Sequence, residues 1–148
     1  MDKKGIYLIV GIVATVLFWV FRVEFYEGVF QAPGFSDEMY NRGVYGIIGL
    51  ITVLVAWGGA AIYYYLINSV KFSRWYHWLM IGLVVTLLAP IICYFVNTNI
   101  FEEENLQYAA EIVSFEGANL LFTALLYTIA SFSIRWWSTN CRHTPIPQ

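Results

Sequence analysis

The sequence predicts an all-α integral membrane protein: a four-transmembrane-helix bundle with the N- and C-termini cytoplasmic and short, acidic extracytoplasmic loops. The first reason is that four long apolar runs occur in a chain of 148 residues that is 59% hydrophobic and 12% charged. Each run is long enough to cross a hydrocarbon core of about 30 Å as a helix that rises about 1.5 Å per residue. We place the spans at residues 5–23, 43–67, 75–96 and 112–135.

The second reason is that opposite charges occupy alternate segments between the apolar runs. Nine of the ten acidic residues lie in or next to the first and third connections, whereas six of the eight basic residues lie at the termini and in the central connection. Because lysine and arginine accumulate in cytoplasmic segments, this pattern places both termini inside. The acidic loops contain no N-glycosylation sequon, which favours a bacterial inner (plasma) membrane over a eukaryotic cell surface.

Residues 1–148 are predicted to form a single four-helix transmembrane domain, because the spans leave little chain for a second one. The first apolar run is interpreted as a retained span, since no small-residue cleavage site of a signal peptide follows it. Pro145 and Pro147 predict an irregular tail over residues 138–148.

The two acidic connections have different patterns. The first contains the turn signal Ala32-Pro33-Gly34 among apolar residues, so we expect it to fold back on the bundle or to dip into the membrane interface. The third has neither proline nor glycine from Glu102 to Glu116, which predicts that the fourth helix begins near Glu103 and stands above the membrane.

Aromatic residues cluster at the span ends near the C-terminus and the central connection. Amphipathic rings prefer the headgroup level, so these clusters are interpreted as interfacial belts. They comprise Tyr63, Tyr64, Tyr65, Trp75, Tyr76, Trp78, Trp136 and Trp137.

Small and polar residues follow one face of the second and third spans at helical spacing. Helices in a bilayer meet through such residues, so these faces should point inward, with Gly49 and Gly59 allowing close backbone approach. The second span carries Gly46, Gly49, Ala56, Gly59 and Ala60, and the third carries Gly82, Thr86, Pro90, Cys93 and Asn97.

The fourth span carries a polar stripe, spaced three or four residues apart, that should avoid lipid. Its members are Glu116, Asn119, Thr123, Tyr127 and Ser131. The stripe either hydrogen-bonds to neighbouring helices and holds the bundle together, or lines a water-filled path within the bundle or at the centre of a ring of copies. A polar ligand site is a third interpretation.

Arg22 and Glu116 are charges that lie about one turn inside the outer boundary of the predicted spans. A charge at that depth is costly unless it is paired or reaches water. We therefore predict an outer-face ion pair between Arg22 and Glu116, with Glu111 as the other possible partner. The pair would have a structural role, or it would act as a gate or as a clamp for the carboxylate of a ligand.

No pattern of catalytic or metal-binding chemistry is visible. The sequence has no CxxC, no HExxH and no glycine-rich phosphate loop, and neither histidine is placed for axial haem ligation. We therefore expect no enzymatic activity, no cofactor and no metal. The scattered basic residues form no stripe, so we expect no nucleic-acid partner.

The sequence favours a small tetraspan membrane protein that acts as a structural or assembly subunit, either as a homo-oligomer or as the anchor of a larger membrane complex. Its expected partners are the lipid bilayer, further copies and other membrane subunits. The alternative is a homo-oligomeric pore or channel lined by the stripe of the fourth helix. A carrier of a lipophilic molecule such as a quinone is a weaker possibility, because no head-group clamp stands out.

Overall fold

The computed structural model describes residues 2–101 and 108–146, and these form an all-helical structure. Its α-helices are α1 (Lys3–Val20), α2 (Arg22–Val29), α3 (Phe35–Asn41), α4 (Val44–Ala61), α5 (Trp75–Ile100) and α6 (Ala109–Ile134). A π-helical segment, Ile62–Ile67, continues α4, and 3-10 turns lie at Val70–Phe72 and Arg135–Trp137. The predicted start of the fourth helix near Glu103 and the end of the tail lie outside the described residues.

Four of these helices are long and apolar enough to cross a membrane: α1, α4 with its π-helical continuation, α5, and α6 with its final 3-10 turn. The structure thereby confirms the all-helical architecture with four candidate spans and indicates a multi-pass membrane protein. The orientation of the termini relative to the cytoplasm stays a prediction from the charge pattern.

The sixth helix, α6, lies at the centre of the bundle and packs against α1, α4 and α5. In its most apolar stretch 50% of the residues are buried, against 17% in α1. The first helix touches the bundle through Gly11, Thr15 and Phe18, and apolar side chains cover the rest of its surface. Its first turn is capped by Asp2, whose carboxylate accepts from the Gly5 N–H at 2.9 Å.

Both termini lie at one end of the bundle, because the ring of Tyr7 near the start of α1 stacks on Trp136 at the end of α6, with 5.0 Å between centroids. The connection between α4 and α5 lies at this terminal end too, where Asn68 contacts the C-terminal tail. The opposite, capped end carries α2 and α3.

The short helices α2 and α3 fold back onto the capped end, which agrees with the first of the two structures expected for this connection. Tyr26, Phe35 and Met39 are completely buried there. Gly34 and Gly43 precede α3 and α4 with φ angles of 79° and 69°, a left-handed conformation that glycine adopts without strain and that lets the chain turn sharply.

The tail is irregular as far as it is described, yet it is tied to the terminal end of α4. Ser138 Oγ donates to Asn68 Oδ1 at 2.9 Å, and Tyr64 O–H donates to the Thr144 carbonyl at 2.8 Å. This packing corrects one assignment, since Tyr63 and Tyr64 are fully buried under the tail and are not part of an interfacial belt. Burial also raises the pKa of the Cys141 thiol in the tail.

The small residues of α4 pack against other helices of the same protomer. A Cβ added to Gly49 would lie 3.5 Å from Trp19 Cδ1, and one added to Gly59 would overlap Val85 Cγ2 on α5. Gly58, by contrast, has open space where a Cβ would lie. The close approach of α4 and α5 therefore depends on Gly59 and not on its neighbour.

Gly59→Leu should destabilise the bundle, because the new side chain must displace Val85 and overpacking costs about 1–3 kcal/mol. Gly58→Leu is the matched control and should unfold like the parent. Thermal unfolding followed by circular dichroism in one detergent compares the three proteins. Equal midpoints for the two variants would show that α4 is rotated so that Gly59 does not face Val85.

Candidate functional site

The polar stripe of α6 is buried inside one protomer. Glu116 is 6% exposed, Tyr127 is 2% exposed, and Asn119, Thr123 and Ser131 are fully buried. The three- and four-residue spacing places all five on one side of α6, and four of them bond Thr52 of α4 or Asn97 and Trp78 of α5. The stripe thus contributes to contacts within the bundle.

Asn119 is the centre of a hydrogen-bond network that joins three helices. Its Oδ1 accepts from the Tyr26 hydroxyl of α2 at 2.7 Å and lies 3.0 Å from Thr52 Oγ1 of α4. The Thr52 hydroxyl also lies 2.8 Å from the carbonyl of Ile48, so its single proton serves one acceptor at a time. Asn119 therefore fixes α6 against the capped end and α4 together.

Glu116 extends this network to α5. Its Oε1 accepts from Asn97 Nδ2 at 2.8 Å, and its Oε2 accepts from Asn119 Nδ2 at 3.3 Å. Asn97 is completely buried, and its Oδ1 has no hydrogen-bond partner in the described part of the chain. Two amides thus hold the carboxyl group, and one adjacent acceptor is left over.

The other end of the stripe is built from neutral groups that meet Trp78 on α5. Tyr127 O–H donates to the Trp78 carbonyl at 3.0 Å, and Trp78 Nε1 donates to Ser131 Oγ at 2.9 Å. The rings of Tyr127 and Trp78 also stack, with centroids 5.3 Å apart. The hydroxyls of Thr123 and Ser131 each donate to a carbonyl of their own helix, of Asn119 and Tyr127 respectively, at 2.7 Å, and Ser131 in addition accepts from Trp78.

The structure does not bring Arg22 and Glu116 together as the predicted ion pair. Arg22 Nη1 donates to the Trp19 carbonyl at 2.9 Å, and the guanidinium lies over the Trp19 ring, 4.3 Å from its centroid. Helix α1 ends before Phe21, and Arg22 starts α2 with its side chain against Gly46 of α4. Glu116 instead accepts from Asn97 on α5.

The ion pair that the described residues do contain joins Arg42 and Glu38, at 2.9 Å. Arg42 Nη1 also donates to the carbonyl of Ile100, at 3.0 Å. The pair is partly exposed and joins Glu38 within α3 to Arg42 directly after it. It ties that short helix to the end of α5 and makes no contact with the buried network.

A surface groove between α5 and α6 passes next to Glu116. It has a volume of about 520 Å³ and is lined mostly by apolar side chains, including Leu87, Phe95 and Val113. Glu116 and Gly117 contribute to its wall, and a Cβ at Gly117 would meet no atom within 4 Å. The groove therefore brings the outside of the bundle next to the buried network.

The sequence pattern found part of this site. Asn97 and Cys93 lie on the inward face predicted for the third span, and the five stripe residues lie on that of the fourth. Tyr26 and Thr52 were missed, because one is an aromatic residue in an acidic connection and the other a single hydroxyl in an apolar run. Among the described residues, no group of three histidine, cysteine or acidic side chains is placed to hold a metal ion.

Comparisons of this chain with protein-family models, curated proteins and solved structures find no match. Its function is therefore inferred from the geometry of the buried network.

Asn119→Leu should destabilise the bundle by about 1–3 kcal/mol, because it removes contacts to Tyr26, Thr52 and Glu116, and cross-helix bonds in membranes average about 0.6 kcal/mol. Thr123→Val should cost less than about 0.5 kcal/mol, since that hydroxyl bonds its own helix. Unfolding in mixed micelles of increasing SDS fraction measures both. A larger loss for Thr123→Val would contradict the assignment of Asn119 as the centre of the network.

Proposed function

We propose that this protein is a structural or assembly subunit of a membrane, working as a homo-oligomer or as the anchor of a larger membrane complex. The observation that carries the proposal is that the strongly polar face of α6 is used inside the protomer. Asn119 accepts from α2 and α4, and Glu116 accepts from α5. Such cross-helix bonds hold a bundle together.

The same observation weakens the alternative of a pore formed by a ring of copies. A ring pore needs polar side chains directed at a shared axis outside the protomer. In this chain Asn119, Thr123 and Ser131 are fully buried by their own helices. Turning them towards a central axis would break the contacts of α6 with α4 and α5, so the assembly role is the more economical proposal.

The outward surface is suited to contacts inside a bilayer. Val10 and Val16 on α1 and Leu83 and Val84 on α5 are each more than half exposed. The connections between the helices are short or, in the case of α2 and α3, packed against the bundle. A partner would therefore meet this protein mainly through the apolar faces of its long helices.

We further propose that the protein lies in a bacterial inner membrane with both termini cytoplasmic. The terminal end carries Lys3, Lys71 and Arg74, and the capped end carries Glu24 and Asp37. The basic end is expected to remain on the cytoplasmic side, because translocation of lysine and arginine is disfavoured.

A membrane-impermeant maleimide tests this orientation in intact bacterial spheroplasts. Gly28→Cys, at an open position of α2, should be labelled from outside, and Lys71→Cys should be labelled only after permeabilisation. The parent supplies the blank, since Cys93 and Cys141 are buried and the raised pKa of the Cys141 thiol slows its reaction. If Lys71→Cys alone were labelled in intact spheroplasts, the termini would lie outside and the proposed topology would be inverted.

The assembly role is tested by the mass of the protein in the membrane and by ion flux. Native mass spectrometry from nanodiscs should give a multiple of the protomer mass, or blue-native electrophoresis of its own membranes should show it in a larger complex. Liposomes that contain the folded protein and an ion-sensitive dye should stay tight. A protein that is monomeric by both methods contradicts the proposal, and flux that Asn119→Leu abolishes without unfolding favours the pore.

A further inference from the structure

Within residues 2–101 and 108–146, the carboxyl group of Glu116 is buried without a positive partner. Two basic residues, Arg22 and Arg42, lie at the capped end, and they contact Trp19 and Glu38 respectively. The other basic residues belong to the terminal end or its connection: Lys3, Lys4, Lys71, Arg74, Arg135 and Arg142. An ionised carboxylate in such surroundings is costly unless a positive charge neutralises it.

The neighbouring titratable side chains do not supply that charge. They are the phenols of Tyr26 on α2, Tyr45 on α4 and Tyr94 on α5, together with the thiol of Cys93 on α5. None of these groups is positively charged in any protonation state. The neutralising charge must therefore come from outside the side chains that surround Glu116.

Asn97 provides a second, independent observation next to the carboxyl group of Glu116. Its side chain is fully buried, its Nδ2 donates to Glu116 Oε1, and its Oδ1 has no donor among the residues that the structure describes. Because both polar atoms belong to one planar amide, the unpartnered oxygen lies close to the carboxyl group. The cluster therefore has one negative charge and one spare acceptor, and a buried acceptor without a partner is rare.

We propose that Glu116 and Asn97 form a binding site for one monovalent cation, a proton or a sodium ion, that is reached through the groove between α5 and α6. A proton on Glu116 removes the buried charge and turns one carboxyl oxygen into a donor. A sodium ion removes the charge by taking the carboxylate and Asn97 Oδ1 as oxygen ligands. A divalent ion is excluded by the single negative charge, since calcium sites use six to eight oxygen ligands and usually several carboxylates.

The groove gives the site a route to the outside. Glu116 and Gly117 share its wall, and Gly117 adds no side chain that would close it. The apolar lining at Leu87 and Phe95 would admit a small hydrophobic reagent from the bilayer while it keeps bulk water away. Exchange at Glu116 is therefore accessible to a probe that partitions into lipid.

The probe is dicyclohexylcarbodiimide, which adds the protonated carboxyl group across its C=N bond and rearranges to a stable N-acylurea on the glutamate. In liposomes at neutral pH the peptide that contains Glu116 should be labelled, as read by mass spectrometry. Labelling should fall with rising pH by up to about tenfold per unit, as for a single titrating group. Glu116→Gln should abolish it, whereas Glu111→Gln, five residues earlier on α6, should not.

Replacing choline by sodium distinguishes a site that binds sodium from one that binds only a proton. If the site takes sodium, replacing choline by sodium at constant ionic strength should protect Glu116 from the reagent and raise the melting temperature of the parent but not of Glu116→Gln. If it takes a proton alone, sodium should change neither quantity, and the stability of the parent should fall as pH rises through the titration of Glu116.

Two glycine variants test the route. Gly117→Leu should slow the labelling severalfold by filling the groove, and Gly58→Leu, at an equally open position on α4, should not. Glu116 that stays unlabelled from mildly acidic to alkaline pH in either salt overturns the proposal. Labelling that depends on neither pH nor sodium overturns it as well, and both results leave the oligomer and flux experiments unaffected.

Discussion

A polar group inside a hydrocarbon layer finds no water, so it must be satisfied by the protein itself, and this constraint places α6 at the centre of the bundle. Its stripe offers amide, hydroxyl and carboxyl groups over four turns. Each neighbour supplies a match: Tyr26 from α2, Thr52 from α4, and Asn97 and Trp78 from α5. These three elements therefore converge on one face of α6.

The peripheral position of α1 follows from the same rule. Its sequence is apolar almost all round, so lipid satisfies most of its surface, and few of its side chains contact the bundle. Trp57 Nε1 donates to Thr15 Oγ1 at 3.0 Å, and Gly11 lies against Ser133 of α6. Trp19 Nε1 donates to the Gly46 carbonyl at 3.2 Å and holds the other end of α1 to α4. Helix α1 thus buries one hydroxyl group, that of Thr15, whereas α6 buries all five polar residues of its stripe.

Sequence periodicity was enough to find the long helices and their inward faces, because a bilayer enforces both the helical backbone and the burial of polar side chains. It was not enough for contacts that depend on how the chain turns between spans. The break at Phe21 directs Arg22 to α4 and away from Glu116. The burial of Tyr63 and Tyr64 depends on an irregular tail, whose path leaves no periodic signal.

The separation of Arg22 from Glu116 bears on what the site can do. A buried arginine–glutamate pair would have fixed both charges, and a carboxylate paired in that way has little reason to exchange a cation. The guanidinium instead lies on the Trp19 ring, while Glu116 is held by two amides that carry no net charge. Neutral donors orient the carboxyl group and leave its charge uncompensated, which is the arrangement that a reversible cation site requires.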